Sequence, residues 1–183
     1  MDCPADSPVV LVLASGRGER FVASGGVGSK LQALLGGKPV LEHTLDAVRA
    51  SGLPWHLEDA GHAGMGDSIA AAVRATRGAA GWLVLPGDLP LIRPATLQAV
   101  ARALREHDAV APVCAGQRGH PVGFSSVCGP ELAALTGTRG AAPVLRAHPA
   151  FDLVVDDIGC VTDIDTVEDL AAAQRRLGEP NGR

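Results

Sequence analysis

The 183-residue sequence predicts an α/β protein: one three-layer domain in which helices cover both faces of a mostly parallel sheet. Three observations predict it. Val9–Leu13 and Gly81–Pro86 are apolar runs with no polar face, as strands buried on both sides require. Stretches with helical apolar spacing lie between such runs. The composition is 46% hydrophobic but only 3% aromatic, with no Tyr, so the core must be Val, Leu and Ala.

The same composition excludes several classes. A net charge of −4 argues against non-specific nucleic-acid binding, which needs a basic surface. No apolar run approaches the ~20 residues that span a bilayer. Met1–Pro4 lacks the basic and apolar regions of a signal peptide, so a cytoplasmic location is expected. Cys3, Cys114, Cys128 and Cys160 form no Cys-x-x-Cys pair and read as free thiols. The histidines lack metal-ligand spacing; His56 and His62 bracket Glu58 and Asp59 without making a convincing zinc motif.

The first strand ends in Ser15-Gly16-Arg17-Gly18. Two glycines flanking an arginine let backbone N–H groups approach an anion. Arg17, Arg20 and Lys30 add three cations, so the loop suits a polyphosphate. It is neither familiar phosphate loop. Phe21 stands where a dinucleotide fingerprint has its third glycine, and Gly28-Ser29-Lys30-Leu31 has the wrong order for a P-loop. An ordinary glycine turn is the competing local reading.

Pro39 suits the first turn of a helix running to about Ala50, with Val40, Leu41, Thr44, Leu45 and Val48 as its apolar stripe. Gly52 and Pro54 stop it. Trp55–Glu58 reads as a short strand, and the following stretch is too short for a second full βα unit. Gly64–Ile69 begins the next helix, with Asp67 or Ser68 as its cap.

The strand at Gly81–Pro86 runs into Gly87-Asp88-Leu89-Pro90. A carboxylate beyond the carboxyl end of a buried parallel strand points into the crevice where open α/β sheets bind ligands. Mg²⁺ takes one or two carboxylates plus substrate phosphates, which suits Asp88; a cap for the helix near Pro94 is the other reading. Thr96–Glu106 is an amphipathic helix and Ala109–Val113 a strand. Arg118-Gly119 is expected to turn, and Pro121–Phe124 to begin another strand. His120 is either a donor to a phosphate or ring acceptor, or a plain turn histidine. Pro130–Leu135 reads as a short helix, and a further helix runs through His148. Phe151–Asp156 alternates enough for an edge strand. Asp163 and Asp165 alternate on an extended segment and share a face. Thr166 and Asp169 resemble a capping box for a last helix to about Leu177, and residues 179–183 are expected to be a disordered tail.

Leu13-Ala14-Ser15-Gly16-Arg17-Gly18-Glu19-Arg20-Phe21, followed by Lys30-Leu31, resembles a known signature loop. It belongs to the sugar-nucleotide and molybdopterin nucleotidyltransferases, and within them the MobA-like cytidylyl- and guanylyltransferases are the nearest in pattern. The resemblance implies a Rossmann-like nucleotidyltransferase fold over residues 1–178, shortened by one βα unit. It implies an enzyme that joins an NMP from an NTP to a phosphorylated acceptor, molybdopterin in the family's pattern, and releases pyrophosphate with Mg²⁺. Leu13, Ala14, Ser15, Gly16, Arg17, Gly18, Arg20 and Lys30 would bind the nucleotide. Gly66 and Ser68, in the turn starting at Gly64, would face the base; a plain helix cap fits them equally. Gly-Asp-x-Pro makes Asp88 a metal ligand. Asp-x-(Asp/Asn)-Thr-Pro-Glu-Asp makes Asp165 the second, with Val167 where Pro is usual; an acidic run leading into a helix is the alternative. Arg20, Lys30 and Asp88 would be catalytic. Gly-His-Pro puts His120 near the acceptor.

This sequence departs from the family pattern at Thr138 and Ala142, which replace an Asp and an Arg. Ala14-Ser15-Gly16 is nearer the cytidylyl pattern, favouring CTP over GTP. The extra residues Ala23–Gly28 could swing Lys30 away from the phosphates or form a lid. With the missing unit, they leave a second reading: a catalytically silent nucleotide- or cofactor-binding protein that partners a molybdoenzyme.

Overall fold

A computed structural model describes residues 7–16 and 18–178. The roles expected of Arg17 and the tail expected at 179–183 lie outside the described residues. A central sheet contains β1 (Val9–Leu13), β4 (Trp55–Glu58), β5 (Gly81–Pro86), β6 (Ala109–Cys114), β7 (Gln117–Arg118), β8 (Val122–Ser125) and β9 (Phe151–Val154). Two short strands, β2 (Leu34–Leu35) and β3 (Lys38–Pro39), form a separate hairpin. β1 pairs in parallel with β4 and β5, β8 runs antiparallel between β5 and β6, and β6 pairs in parallel with β9. β4, β1, β5, β6 and β9 therefore all point the same way, and their carboxyl ends share one rim. Only residues 59–64 separate β4 from the next helix, Met65–Ala75, so no further strand and helix intervene there, and β4 is the edge of the sheet.

The helices are α1 (Glu19–Ala23), α2 (Val40–Ser51), α3 (Met65–Ala75), α4 (Pro94–Ala103), α5 (Gly129–Ala133), α6 (Ala142–Ala147) and α7 (Val167–Gly178). Alternation along β1 explains the layering. Val10 and Val12 pack with Leu45 and Val48 of α2 and Leu97 and Val100 of α4. Val9 and Leu11 face the other way, onto Ile69 and Val73 of α3, with Phe124 and Leu132. All four of those β1 residues are fully buried, which is why the run carries no polar residue. A third cluster joins Phe21 of α1, Val40 of α2 and Ala173 of α7 to Leu35 and Ile164.

Two local expectations change. The hairpin between β6 and β7 turns at Ala115-Gly116, both at positive φ (51° and 78°), rather than at Arg118-Gly119. Ala gives no sequence signal for a left-handed turn. Gly119 serves a close approach instead: a Cβ there would lie 2.1 Å from the Cys160 carbonyl oxygen. The cap of α3 is Gly64, without a side-chain bond, rather than Asp67 or Ser68. Both lie inside the first turn, where Asp67 accepts from the Gly137 amide and Ser68 donates to the Gly64 carbonyl. The capping box of α7 forms: the Asp169 carboxylate accepts from the amide and hydroxyl of Thr166, whose hydroxyl accepts from the Asp169 amide. Cys114, Cys128 and Cys160 are buried free thiols, and burial pushes Cys128 and Cys160 up to about 11. Among the described residues no helix is long and apolar enough to cross a membrane.

Candidate active site

The carboxyl ends of β4, β1 and β5 lie level, with Leu13 in register with both Glu58 and Pro86. A cleft of about 580 Å³ opens above them. Leu13, Ser15, Gly16, Gly18, Arg20, Lys30, Ser68, Asp88, His120 and Asp165 all line it. Residues predicted from five separate stretches of sequence thus meet in one crevice.

Lys30 sits at its centre. Its ammonium lies 2.6 Å from Asp88 Oδ2 and 2.7 Å from Asp165 Oδ1. Arg20 reaches Asp165 Oδ2 at 2.5 Å from the solvent side. The lysine is placed by a short 3-10 turn, Lys30–Gln32, entered through Ser29. The long connection before it does not swing it away. Phe21 is buried, its carbonyl accepts from the Gly26 amide and Ser24 hydroxyl, and Ser24 Oγ accepts from the Val167 amide of α7. The extra residues fold onto Phe21 and α7 and deliver Lys30 back beside Gly18.

Asp88 and Asp165 come together because the chain segments carrying them are bonded: the Ile164 amide donates to the Asp88 carbonyl at 3.0 Å. Burial alone would lower the pKa of Lys30; the two carboxylates outweigh it and hold the ammonium above the ordinary lysine range. Asp88 Oδ1 is buried with no hydrogen-bond partner. Buried polar atoms are rarely left so, and an orphaned oxygen on a paired carboxylate fits a cation ligand. Among the described residues no group of three or more His, Cys, Asp or Glu is arranged to hold a metal. Two carboxylates with substrate phosphates suffice for Mg²⁺.

His120 is deep in the cleft wall. Its amide donates to the Cys160 carbonyl, and Nδ1 is buried without a partner. Burial lowers its pKa against the pull of Asp88, so the ring is neutral at pH 7. Asp163 also lines the cleft. Burial raises its pKa, and the Asp165 and Asp88 charges add to that. Ionised Asp163 therefore opposes folding at neutral pH. Asp163→Asn is expected to raise the Tm at pH 7, and the gain should shrink as pH falls through the carboxylate range. Melting curves at pH 4 and pH 7 check this.

Two predicted nucleotide residues are placed differently. Ala14 and Gly66 do not line the cleft. The Ala14 amide donates to the Glu58 carbonyl, fixing the loop to β4. Gly66 bonds Gly137, and a Cβ there would lie 2.8 Å from the Thr136 carbonyl oxygen. It lets α3 approach that loop closely. The neighbouring Ser68 does reach the cleft, where its hydroxyl bonds that of Ser15 at 2.8 Å. Sequence reasoning did not single out His62 for the cleft; its pairing with Glu58 was the available signal.

A parallel-sheet crevice holding a glycine loop, a lysine and two converging aspartates defines an α/β nucleotidyltransferase. The family model for the MobA-like NTP transferase domain matches residues 47–151, more than half of the sequence, and the chain belongs to that family. The glycine loop and Lys30 precede the matched segment. The chain is 30% identical over 194 residues to the bifunctional protein GlmU of Alkalilimnicola ehrlichii, covering 94% of this chain and 35% of that one. It is 28% identical over 159 residues to GlmU of Desulfitobacterium hafniense, covering 74% of this chain and 34% of the relative. The chain spans about a third of the length of these curated relatives. In fold it is similar to Rv0371c of Mycobacterium tuberculosis, with a TM-score of 0.77 at 24% identity, covering 94% of this chain and 99% of that one. A structure of Rv0371c in complex with manganese has a TM-score of 0.73 at 24% identity, covering 94% and 100%. Molybdopterin-guanine dinucleotide biosynthesis protein A of Archaeoglobus fulgidus has a TM-score of 0.68 at 20% identity, covering 92% and 98%.

Proposed function

We propose that this nucleotidyltransferase joins an NMP, CMP in preference to GMP, to a phosphorylated acceptor of the molybdopterin type and releases pyrophosphate with Mg²⁺. The observation that carries the reading is the Lys30 ammonium held between Asp88 and Asp165 beside the Ser15–Arg20 loop. Asp88, with its unpartnered oxygen, and Asp165 are the residues that would hold the metal. The chemistry Mg²⁺ supplies there is neutralisation of charge on phosphate oxygens.

The chain's own residues do the rest. The backbone at Gly16 and Gly18 leaves room for phosphates, and Arg20 and Lys30 offset the charge of the departing pyrophosphate. The nucleophile is an acceptor phosphate oxygen, already ionised at neutral pH, so no general base is needed. Neutral His120, which lines the cleft wall, would then help to position the acceptor. Holding both substrates in one cleft supplies the remaining advantage. The choice of CTP rests on the Ala14-Ser15-Gly16 pattern, and the acceptor on the family resemblance.

The test is pyrophosphate release from CTP and GTP with Mg²⁺ and molybdopterin. Asp88→Ala is expected to lower the rate by about 10²- to 10³-fold. Release unchanged in the variant would remove Asp88 from catalysis. Nucleotide binding by the native chain without turnover would favour the silent binding protein, partner to a molybdoenzyme.

A further inference from the structure

Residues beyond each of three neighbouring strands line the cleft, together with His120, Thr138, Asp163 and Asp165 from farther along the chain. The residues after β1 and β5 are the glycine loop and Asp88, which take phosphates and metal. The wall after β4, where His62, Gly64 and Met65 line the cleft, has no role in that account. It is the side left for the nucleoside, with the bonded Ser15–Ser68 pair between it and the phosphate end.

Glu58 ends β4 and is only 8% exposed. It lies 3.0 Å from His62 Nε2 and 3.5 Å from His56 Nε2, and it accepts from the Ala60 amide. Burial alone would raise its pKa. The bonds from His62, His56 and Ala60 outweigh burial and hold the carboxyl below the usual range. An ionised carboxylate only accepts, so the His62 Nε2 must carry the proton. In the neutral ring this leaves Nδ1 as a bare acceptor. Among the described residues Nδ1 has no hydrogen-bond partner, and the His62 side chain is 23% exposed.

We propose that His62, oriented by Glu58, reads the exocyclic amine of the nucleobase, so that this site takes amino-bearing nucleotides and rejects those with a carbonyl or hydrogen in that place. The inference rests on the nucleotidyltransferase reading and deepens it. Cytosine and guanine carry such an amine. Uracil turns a carbonyl acceptor toward the same place, and hypoxanthine leaves the acceptor unmatched; each loses a hydrogen bond.

The test is calorimetric titration of the full chain, with Mg²⁺, using the pairs CTP against UTP and GTP against inosine triphosphate. The native chain should prefer the amino-bearing member of at least one pair by about tenfold or more. His62→Ala should abolish that preference while leaving the affinity for the poorer nucleotide nearly unchanged. A merely structural His62 would weaken both members equally, and that result overturns the inference. His62→Gln, whose carbonyl oxygen can accept in the same region, should restore part of the preference. Equal binding within both pairs by the native chain overturns this inference but leaves nucleotidyl transfer standing. Failure to bind any of the four nucleotides overturns both.

Discussion

Lys30→Met is expected to lower pyrophosphate release by about a thousandfold and to destabilise the fold in the absence of divalent cation. The lysine side chain is 11% exposed, against 13% for Asp88 and 17% for Asp165. Removing the ammonium leaves two largely buried carboxylates facing each other. Breaking one partner out of such a set costs about 3 kcal/mol, or about 8 °C in Tm for a chain of this size.

The cause can be separated from a packing defect. Methionine keeps the length of the lysine stem, so the loss is mainly of charge. Saturating Mg²⁺ or Mn²⁺ should restore part of the Tm of the variant, because a cation between the carboxylates replaces the missing ammonium. The native chain, already neutralised, should gain less. The pH dependence has a definite sign. The pKa of Lys30 is raised in the fold, so its contribution is fully present at neutral pH and is lost as pH rises through that raised value. The gap in Tm between native and variant should therefore narrow above pH ~10.4. Differential scanning calorimetry with and without cation measures all of this. A variant with native Tm and native rate would remove Lys30 from the site.

Gly159→Ala is expected to be the most damaging single-methyl addition tested by melting. Gly159 precedes the Asp163–Asp165 segment, and its Cβ would lie 2.0 Å from the Leu91 carbonyl oxygen and 2.3 Å from the Leu91 carbonyl carbon. Both are backbone atoms, so no rotamer change relieves the contact. The chain must separate where the Ile164 amide bonds the Asp88 carbonyl. Overpacking of this kind costs about 3 kcal/mol, or about 8 °C in Tm. Because Asp88 and Asp165 sit on the two segments forced apart, the rate should fall as well. A shift near 1 Å in a reacting site costs about 10²-fold. An unchanged Tm would mean that the two segments accommodate the methyl group without moving.

Much of the fold was legible because burial is written into periodicity. The unbroken apolar run at Val9–Leu13 could only be a strand covered on both faces, and Val10 and Val12 do pack opposite to Val9 and Leu11. The α7 capping box was equally local, with Thr166 and Asp169 three positions apart. The turn at Ala115-Gly116 was not legible, since an alanine in the left-handed region leaves no mark in composition. The approach of Gly66 to Thr136 and Gly137 was not legible for a related reason: a glycine signals a close approach but not to what.

The sequence by itself determined the layered α/β plan, the glycine loop with its cations, and the two aspartates, because strand ends and turn chemistry are properties of short segments. Only the tertiary structure decided that Lys30 bridges Asp88 and Asp165, and that Glu58 commits one nitrogen of His62 beside the cleft. Lys30 and Asp165 are 135 residues apart. What brings them within one hydrogen bond is the packing of α1 and α7 around Phe21 and Ile164, a relation between distant apolar surfaces that no local pattern encodes.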